Sequence, residues 1–343
     1  MHYIAYTVKG LEKVAEEEIV STCPDAEIIQ VEEKVVMFRT EGGQEDLLRL
    51  RTVDDIGLLV CEILEPKKLD ITTLQEVVQH EDLPRCREKL TQVRNINETF
   101  SLTLSIAGVK LKQQEVLACV TESLSQKYGW HFTEKQRENF DIRLFINRHF
   151  GHMSVRLSSR SLFQRAHKLH SVMGALRPSV AGAMVRVATR GERDLKVVDN
   201  FCGSGTILEE ALYAGNEVFG GDIEREAVRK TKDNLNSLQV NNQADIRYLD
   251  AMDTQWSDSS FDCAISNLPW DRQVPVKSIT ELYVKTLEEY RRILKPDGTL
   301  CLILSKPEIL IKYAKRLFPH HTIEKHRISF LGQQPTVVVV RVR

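Results

Sequence analysis

The sequence lacks any long apolar segment. Its longest uncharged apolar runs, such as residues 336–340, have the length of a strand. They are far shorter than the roughly 20 residues that a membrane helix needs. The first ten residues contain no basic region followed by an apolar core, so we expect no signal peptide. These absences predict a cytoplasmic protein that does not associate with a membrane.

Cysteine pairs with the spacing of a metal site are also missing. The seven cysteines are far apart, no C-x-x-C pair occurs, and no Cys/His cluster has zinc spacing. Their number is odd and several lie inside apolar runs, as is typical of reduced core thiols in the cytosol. The adjacent His320 and His321 cannot both face one metal from a regular strand. We therefore predict no metal site.

The chain also has almost no net charge, −1 over 343 residues, but the charges are unevenly distributed. Residues 1–65 contain 6 basic and 15 acidic side chains, whereas residues 66–165 contain 16 and 11. An acidic N-terminal part is unsuited to phosphate binding, so the basic excess in residues 137–177 indicates where a polyanion would bind. A solvated face with ordinary charges explains the count equally well. The predicted RNA-binding residues are Arg143, Arg148, Arg156, Arg160, Arg165 and Lys168.

The first part of the chain has the pattern of a small α+β unit. Residues 2–8 alternate as in a strand, and helical spacing follows from Leu11 to Ile19. Residues 28–38 indicate two strand pieces, residues 44–50 a short helix, and residues 56–64 another strand. This β-α-β-β-α-β order predicts a ferredoxin-like unit over residues 1–65.

A second unit is predicted over residues 66–165. It contains a strand at residues 99–105, a helix at residues 114–128, and strands at residues 141–146 and 152–157. Arg143 and Arg156 occupy alternate positions of the last two strands. This alternation predicts one apolar face and one basic face.

In residues 166–343 strands and helices alternate, and the strands are continuous apolar runs. Such a pattern predicts an α/β fold with a doubly wound sheet, in which the final hairpin contributes one antiparallel strand. Strands are predicted at 195–199, 217–222, 244–249, 261–266, 299–305, 322–330 and 336–342, and helices at 206–214, 224–238, 277–294 and 307–317.

A loop of small residues follows the first of these strands. In a doubly wound sheet, ligands bind at the carboxyl ends of the strands. Gly203 and Gly205 let the backbone approach a ligand that a Cβ would repel, and Thr206 can cap the following helix. A nicotinamide dinucleotide would need G-x-G-x-x-G, but Leu208 occupies the third glycine position.

Carboxylates end three successive strands. Asp199 is suited to the positive amino group of a methionine moiety, Asp222 to two ribose hydroxyls, and Asp250 to an adenine amino group. The donors of S-adenosylmethionine match these acceptors. The alternative is that these carboxylates only form caps and turns. The predicted cofactor-binding residues are Asp199, Phe201, Cys202, Gly203, Ser204, Gly205, Thr206, Asp222, Ile223, Asp250, Ala251 and Asn267.

The segment after the fourth strand has the composition of a clamp for a planar amine. Pro269 restricts Leu268, so the Asn267 side-chain oxygen and the Leu268 carbonyl can converge on one NH₂ group. Trp270 can stack on the base. We therefore predict that Asn267, Leu268, Pro269 and Trp270 form the catalytic site. The alternative is a strand-end turn with a core tryptophan.

Together these residues resemble the THUMP-domain RNA methyltransferases, particularly the tRNA guanine-N2 methyltransferases. Residues 199–206 are close to the family's D-P-F-C-G-S-G-T, and residues 267–270 take the place of its N-P-P-Y or D-x-P-F. Asn200 and Leu268 replace prolines of these motifs, and Asp271 stands where a glycine is often found.

The resemblance implies a Rossmann-like class I methyltransferase domain at residues 166–343, preceded by a THUMP RNA-binding domain at residues 66–165. It implies transfer of a methyl group from S-adenosylmethionine to the N2 amino group of a guanosine in the acceptor stem of tRNA. Methylation of another RNA or of a DNA base amine stays open, as does a non-catalytic RNA-binding module with a relic cofactor fold. The sequence does not specify the oligomeric state, and a monomer is the simplest expectation.

Overall fold

The chain forms two compact units in the computed structural model. The first consists of Met1–Tyr6 and Ile19–Leu162, and the second of Thr7–Glu18 and Phe163–Arg343. The predicted boundary at residues 65 and 66 lies inside the first unit. The structure describes residues 1–80, 83–92, 94–96, 99–134, 140–238, 244–269, 278–318, 320–329 and 332–342.

A mixed sheet of eight strands forms the first unit, in the order β2-β3-β1-β4-β8-β7-β5-β6. Its strands are β1 (His2–Tyr6), β2 (Glu27–Glu32), β3 (Val35–Arg39), β4 (Asp55–Glu62), β5 (Thr99–Ile106), β6 (His131–Phe132), β7 (Phe140–Ile146) and β8 (Gly151–Arg156). The helices of this part of the chain are α1 (Glu12–Thr22), α2 (Gln44–Leu47), α3 (Ile71–His80), α4 (Leu83–Thr91) and α5 (Gln113–Tyr128).

Strand β4 connects the two halves that the sequence pattern separates. It pairs antiparallel with β1 on one side and with β8 on the other, where Gly57 lies opposite Arg156. An edge strand presents unpaired backbone donors and acceptors, and this pairing satisfies them. The two predicted N-terminal units therefore share one continuous sheet.

Buried ion pairs replace the basic face predicted for β7 and β8. Asp55 Oδ2 accepts hydrogen bonds from Arg143 Nη2 at 2.9 Å and from Arg156 Nε at 2.9 Å. The other end of the Arg156 guanidinium lies 2.7 Å from Asp141. The side chain of Arg156 is 5% exposed and that of Arg143 15%. The prediction of an exposed basic face is wrong for these two residues, because neighbouring strands carry the carboxylates that bind them.

The second unit is a seven-stranded sheet in the order β11-β10-β9-β12-β13-β15-β14. Strand β15 runs antiparallel to both of its neighbours, β13 and β14, and the other strand pairs of this sheet in the described residues are parallel. The predicted doubly wound α/β fold is thereby confirmed. The elements are α6 (Pro178–Thr189), β9 (Lys196–Asp199), α7 (Thr206–Tyr213), β10 (Glu217–Asp222), α8 (Arg225–Ser237), β11 (Ala244–Tyr248), β12 (Phe261–Asn267), α9 (Ile279–Ile293), β13 (Leu294–Leu304), α10 (Pro307–Leu317), β14 (His321–Arg327) and β15 (Thr336–Val342).

Two apolar cores cover the faces of this sheet. Successive residues of β15 alternate between them: Val337 and Val339 belong to one core, and Val338 and Val340 belong to the other. Burial on both faces explains why the strands are continuous apolar runs. The first core also includes the buried side chains Val8, Leu11 and Val14 from the start of the chain.

None of the helices among the described residues combines the length and apolar character needed to cross a bilayer.

We expect the Arg156→Ala substitution to lower the free energy of unfolding by about 3–5 kcal/mol, because it removes the cation that pairs with the buried Asp141 and one of the two cations that pair with the buried Asp55. Urea denaturation of the full chain measures this change. Arg148→Ala is the matched control, since the exposed Arg148 donates to the carbonyl of Gly108. The control should change stability by no more than about 0.5 kcal/mol. An equally small effect of Arg156→Ala would contradict the structural role of the buried pairs.

Candidate active site

A cavity of about 630 Å³ lies in the second unit, at residues that follow the carboxyl ends of strands β9 to β12. All but one of the described residues predicted to bind cofactor or substrate amine line it, and Gly205 is the exception. Trp270 lies outside the described residues. The lining residues predicted from the sequence are Asp199, Phe201, Cys202, Gly203, Ser204, Thr206, Asp222, Ile223, Asp250, Ala251, Asn267, Leu268 and Pro269.

Gly205 shapes the loop between β9 and α7. Its φ of +84° is a conformation that glycine adopts without strain, and a Cβ there would lie 2.9 Å from Thr231 Cγ2. Gly205 also occupies the N-cap position of α7, so Thr206 is the first helical residue. The predicted capping by the Thr206 side chain is therefore wrong. Instead, the Thr206 hydroxyl accepts a hydrogen bond from Lys168 Nζ at 2.6 Å.

Asp199 is a buried carboxylate at the end of β9. Its Oδ1 accepts hydrogen bonds from Ser266 Oγ at 2.6 Å and from the Phe201 amide at 3.0 Å. Burial raises the pKa of Asp199 to about 7, despite these two hydrogen bonds. A cation bound in the cavity would favour the ionised form of this carboxylate.

Asp222 ties the end of β10 to the glycine loop. Its two carboxylate oxygens accept hydrogen bonds from the amides of Gly203 at 2.9 Å and Glu224 at 3.0 Å. Burial raises the pKa of Asp222. Each carboxylate oxygen has a further lone pair, so Asp222 can still accept a hydrogen bond from a ligand hydroxyl.

The wall beyond Asp222 offers both apolar and polar groups. Ile223 lines the cavity although 59% of it is exposed, which leaves an apolar surface free for a flat ring. Asp250 is exposed two residues after β11, and its Oδ1 accepts a hydrogen bond from the Met252 amide at 2.9 Å. An acceptor beside an apolar surface suits an adenine ring with its amino group.

The orientation of the Asn267 amide is fixed by the backbone. Asn267 Nδ2 donates to the Gly174 carbonyl at 3.1 Å, and a carbonyl can only accept, so the nitrogen must face it. Asn267 Oδ1 is buried and has no hydrogen-bond partner in the described part of the chain. A buried acceptor without a donor costs free energy, so this oxygen is suited to an N–H group of a ligand.

The two residues after Asn267 are held in place by the fold. Leu268 is 1% exposed, and its amide donates to the Ile303 carbonyl at 3.1 Å. The Pro269 carbonyl accepts a hydrogen bond from the Tyr283 hydroxyl at 3.2 Å. The predicted clamp therefore lies at the end of strand β12, where these two hydrogen bonds fix its backbone.

Sequence reasoning missed the segment Val172 to Leu176, all of which lines the cavity. Met173 at its centre is 87% exposed, and Gly174 has a φ of +78°. An apolar run interrupted by glycine inside an otherwise basic stretch is the signal that would have indicated this segment.

Two of the residues predicted to bind RNA instead pair with carboxylates of helix α7. Arg165 donates to Glu210 Oε1 at 2.9 Å, and Lys168 Nζ lies 3.0 Å from Glu209 Oε1. Both glutamates are almost fully buried, and a buried carboxylate needs a cation nearby. Arg165 and Lys168 therefore do not form an exposed basic patch.

Arg148 and Arg160 are exposed, and an RNA-binding role for them stays a prediction. Across the described ranges, no three His, Cys, Asp or Glu side chains are grouped so that they could hold a metal ion.

The comparisons with known proteins agree with this geometry. Residues 165–333 match a family described as UPF0020, RMKL-like methyltransferase domain. Over 285 residues the chain is 25% identical to the U6 snRNA (guanine-N(2))-methyltransferase THUMPD2 of Mus musculus, which covers 82% of this chain and 50% of that protein. It is 29% identical over 131 residues to the tRNA (guanine(10)-N2)-dimethyltransferase of Methanothermobacter thermautotrophicus, which covers 38% of each protein.

The chain thus spans half or less of the length of these two relatives. Among solved structures, TrmN from Thermus thermophilus superposes with a TM-score of 0.82 at 22% identity, covering 100% of this chain and 99% of that one. This likeness shows a shared fold. Residues 165–333 are thus similar to the RMKL-like methyltransferase domain of the UPF0020 family, in agreement with the predicted S-adenosylmethionine-dependent methyltransferase.

Proposed function

We propose that the protein transfers a methyl group from S-adenosylmethionine to the exocyclic N2 amino group of a guanosine in RNA, and that its substrate is tRNA. One observation carries the proposal: Asn267 lines the same cavity as the carboxylates of Asp199 and Asp222, and its buried Oδ1 has no hydrogen-bond partner among the residues that the structure describes. One wall of the cavity is suited to the cofactor, and another offers an acceptor for an amine.

The carboxylates of the cavity fit the cofactor group by group. Asp199 accepts a hydrogen bond from the cofactor's ammonium group, Asp222 from its ribose hydroxyls, and Asp250 from its adenine amino group. Ile223 and Ala251 lie along the adenine ring. S-adenosylmethionine supplies an electrophilic methyl group when it is bound. The protein contributes orientation, because these acceptors are held by backbone hydrogen bonds before any ligand arrives.

The substrate amine is held by the strand end at Asn267. Its Oδ1 accepts one hydrogen of the NH₂ group, and the Leu268 carbonyl accepts the other, which directs the nitrogen lone pair at the methyl group. A planar amine conjugated to a ring is a weak nucleophile, so positioning supplies most of the rate enhancement. Stacking of Trp270 on the base stays a prediction.

The names of the relatives support guanine N2 as the acceptor. The mouse relative is named for U6 snRNA and the archaeal relative for tRNA, and both names specify the N2 atom of guanine. We propose tRNA because the resemblance implies a THUMP domain at residues 66–165 that grips the acceptor end. The exposed Arg148 and Arg160 are its candidate phosphate contacts.

Incubation of the protein with total tRNA, or with a U6 snRNA transcript, and isotopically labelled S-adenosylmethionine tests the proposal. We expect N2-methylguanosine from the tRNA when the nucleosides are analysed by mass spectrometry. Label in the snRNA alone would show that the substrate is snRNA and not tRNA. Labelled adenosine would show that the methyl group is not transferred to guanine N2. No transfer to either RNA would favour a relic cofactor fold.

We expect Asn267→Ala to reduce turnover by about 100-fold or more, since it removes a contact that orients the amine. Its affinity for S-adenosylhomocysteine should stay near that of the unmodified protein. Isothermal titration calorimetry and initial rates measure the two quantities. Asn236→Ala, the same change at an exposed position of helix α8, is the control. Full activity of Asn267→Ala would exclude the clamp.

The affinity for S-adenosylhomocysteine should rise with pH and level off above about pH 7. Asp199 has a pKa of about 7, so it is protonated below this pH and cannot then pair with the ligand's ammonium group. The slope should approach tenfold per pH unit below pH 7, and Asp199→Asn should remove it. Methylthioadenosine, which lacks the α-amino group but keeps the adenine, is the control ligand. A parallel pH dependence for both ligands would contradict the assignment of Asp199.

A further inference from the structure

Lys168 lies between two groups of helix α7. Its Nζ donates to Thr206 Oγ1 at 2.6 Å and to Glu209 Oε1 at 3.0 Å, and its side chain is 14% exposed. A hydroxyl that accepts from an ammonium keeps its own proton for another acceptor. Thr206 lines the cavity, so this proton can serve a ligand there.

A second hydroxyl at the same place, that of Ser204, has no partner in the part of the chain that the structure describes. Ser204 is 2% exposed and lines the cavity, and its Oγ makes no hydrogen bond within the described residues. The backbone of Ser204 is fixed, because its carbonyl accepts a hydrogen bond from Asn234 Nδ2 at 2.8 Å. A buried hydroxyl without a partner costs free energy unless a ligand satisfies it.

Both hydroxyls are at the N-terminus of helix α7. The first backbone amides of a helix have no partner within the helix, and the helix dipole favours a negative charge there. Two hydroxyl donors at this end of the cavity therefore suit an anion. Asp199, by contrast, is suited to a cation, so the two ends of a zwitterion would be received separately.

We propose that Lys168 is a positioning residue of the cofactor site and not an RNA contact. Its ammonium group holds Thr206 Oγ1 so that the hydroxyls of Thr206 and Ser204 donate to the α-carboxylate of the cofactor's methionine moiety. Glu209 keeps the Lys168 ammonium in place. This inference rests on the proposed cofactor site.

Two ligands separate this role from a purely structural one. S-adenosylhomocysteine has the α-carboxylate, whereas methylthioadenosine has the same adenosine and sulfur without it. Calorimetry gives the dissociation constant of each ligand for the full chain and for Lys168→Met. We expect Lys168→Met to raise the dissociation constant of S-adenosylhomocysteine by about tenfold or more and to leave that of methylthioadenosine unchanged. Arg165→Met is the matched control, because it breaks the neighbouring pair with Glu210 and should alter neither constant.

Further variants keep the test decisive if Lys168→Met unfolds. Lys168→Met combined with Glu209→Gln removes both charges of the pair. This double variant should lose the same affinity for S-adenosylhomocysteine and keep its affinity for methylthioadenosine. Ser204→Ala and Thr206→Val should each show a selective loss. Adding Lys168→Met to Thr206→Val should cause little additional loss, because the lysine acts through that hydroxyl.

Three results would overturn the proposal. Equal weakening of both ligands would show that Lys168 only maintains the fold, and an unchanged S-adenosylhomocysteine constant would show that it has no part in the site. If Lys168→Met lowers the affinity for total tRNA and leaves both ligand dissociation constants unchanged, Lys168 is an RNA contact. If the unmodified protein binds neither ligand, the proposed cofactor site itself fails.

Discussion

The close approach of strand β10 to its neighbours determines the geometry of the whole active-site edge. A Cβ on Gly220 would lie 2.6 Å from the Asp199 carbonyl oxygen, and one on Gly221 would lie 2.3 Å from the Arg247 carbonyl oxygen. Only glycine allows three parallel strands to pack this tightly at their carboxyl ends. Because the strands end together, carboxylates that are distant in sequence face one cavity, and backbone amides of the adjoining loops hold them there.

Both units use their basic residues in a way that charge counting does not reveal. In the first unit, Arg143 and Arg156 neutralise Asp55, and in the second, Arg165 and Lys168 pair with consecutive glutamates of helix α7. A buried carboxylate without its cation would strongly destabilise the fold. Four basic residues between positions 137 and 177 thus serve internal packing, and the exposed arginines form a smaller set than the sequence indicates.

Local patterns predict most of the fold, and long-range pairing accounts for the remainder. The strand β10 and the helix α10 have their predicted bounds, because alternating and helical periodicities are local. Helix α4 is missed because Pro84 resembles a helix breaker, although proline is tolerated in a first turn. The glycine loop and its carboxylates are predictable from their spacing. The burial of Arg156 is not, since its partner Asp55 lies 101 residues away.

The position of Val8, Leu11 and Val14 in the sequence affects when the second unit can fold during synthesis. Val8, Leu11 and Val14 complete a core whose other members come after residue 175, and Ser329 donates a hydrogen bond to the Lys9 carbonyl. During synthesis these early residues leave the ribosome long before their partners exist. The entropic cost of closing such a connection grows only slowly with its length. The methyltransferase domain is thus a discontinuous folding unit, which is completed only after strand β15 has been synthesised, and a chain that starts at residue 163 has an open gap in its core.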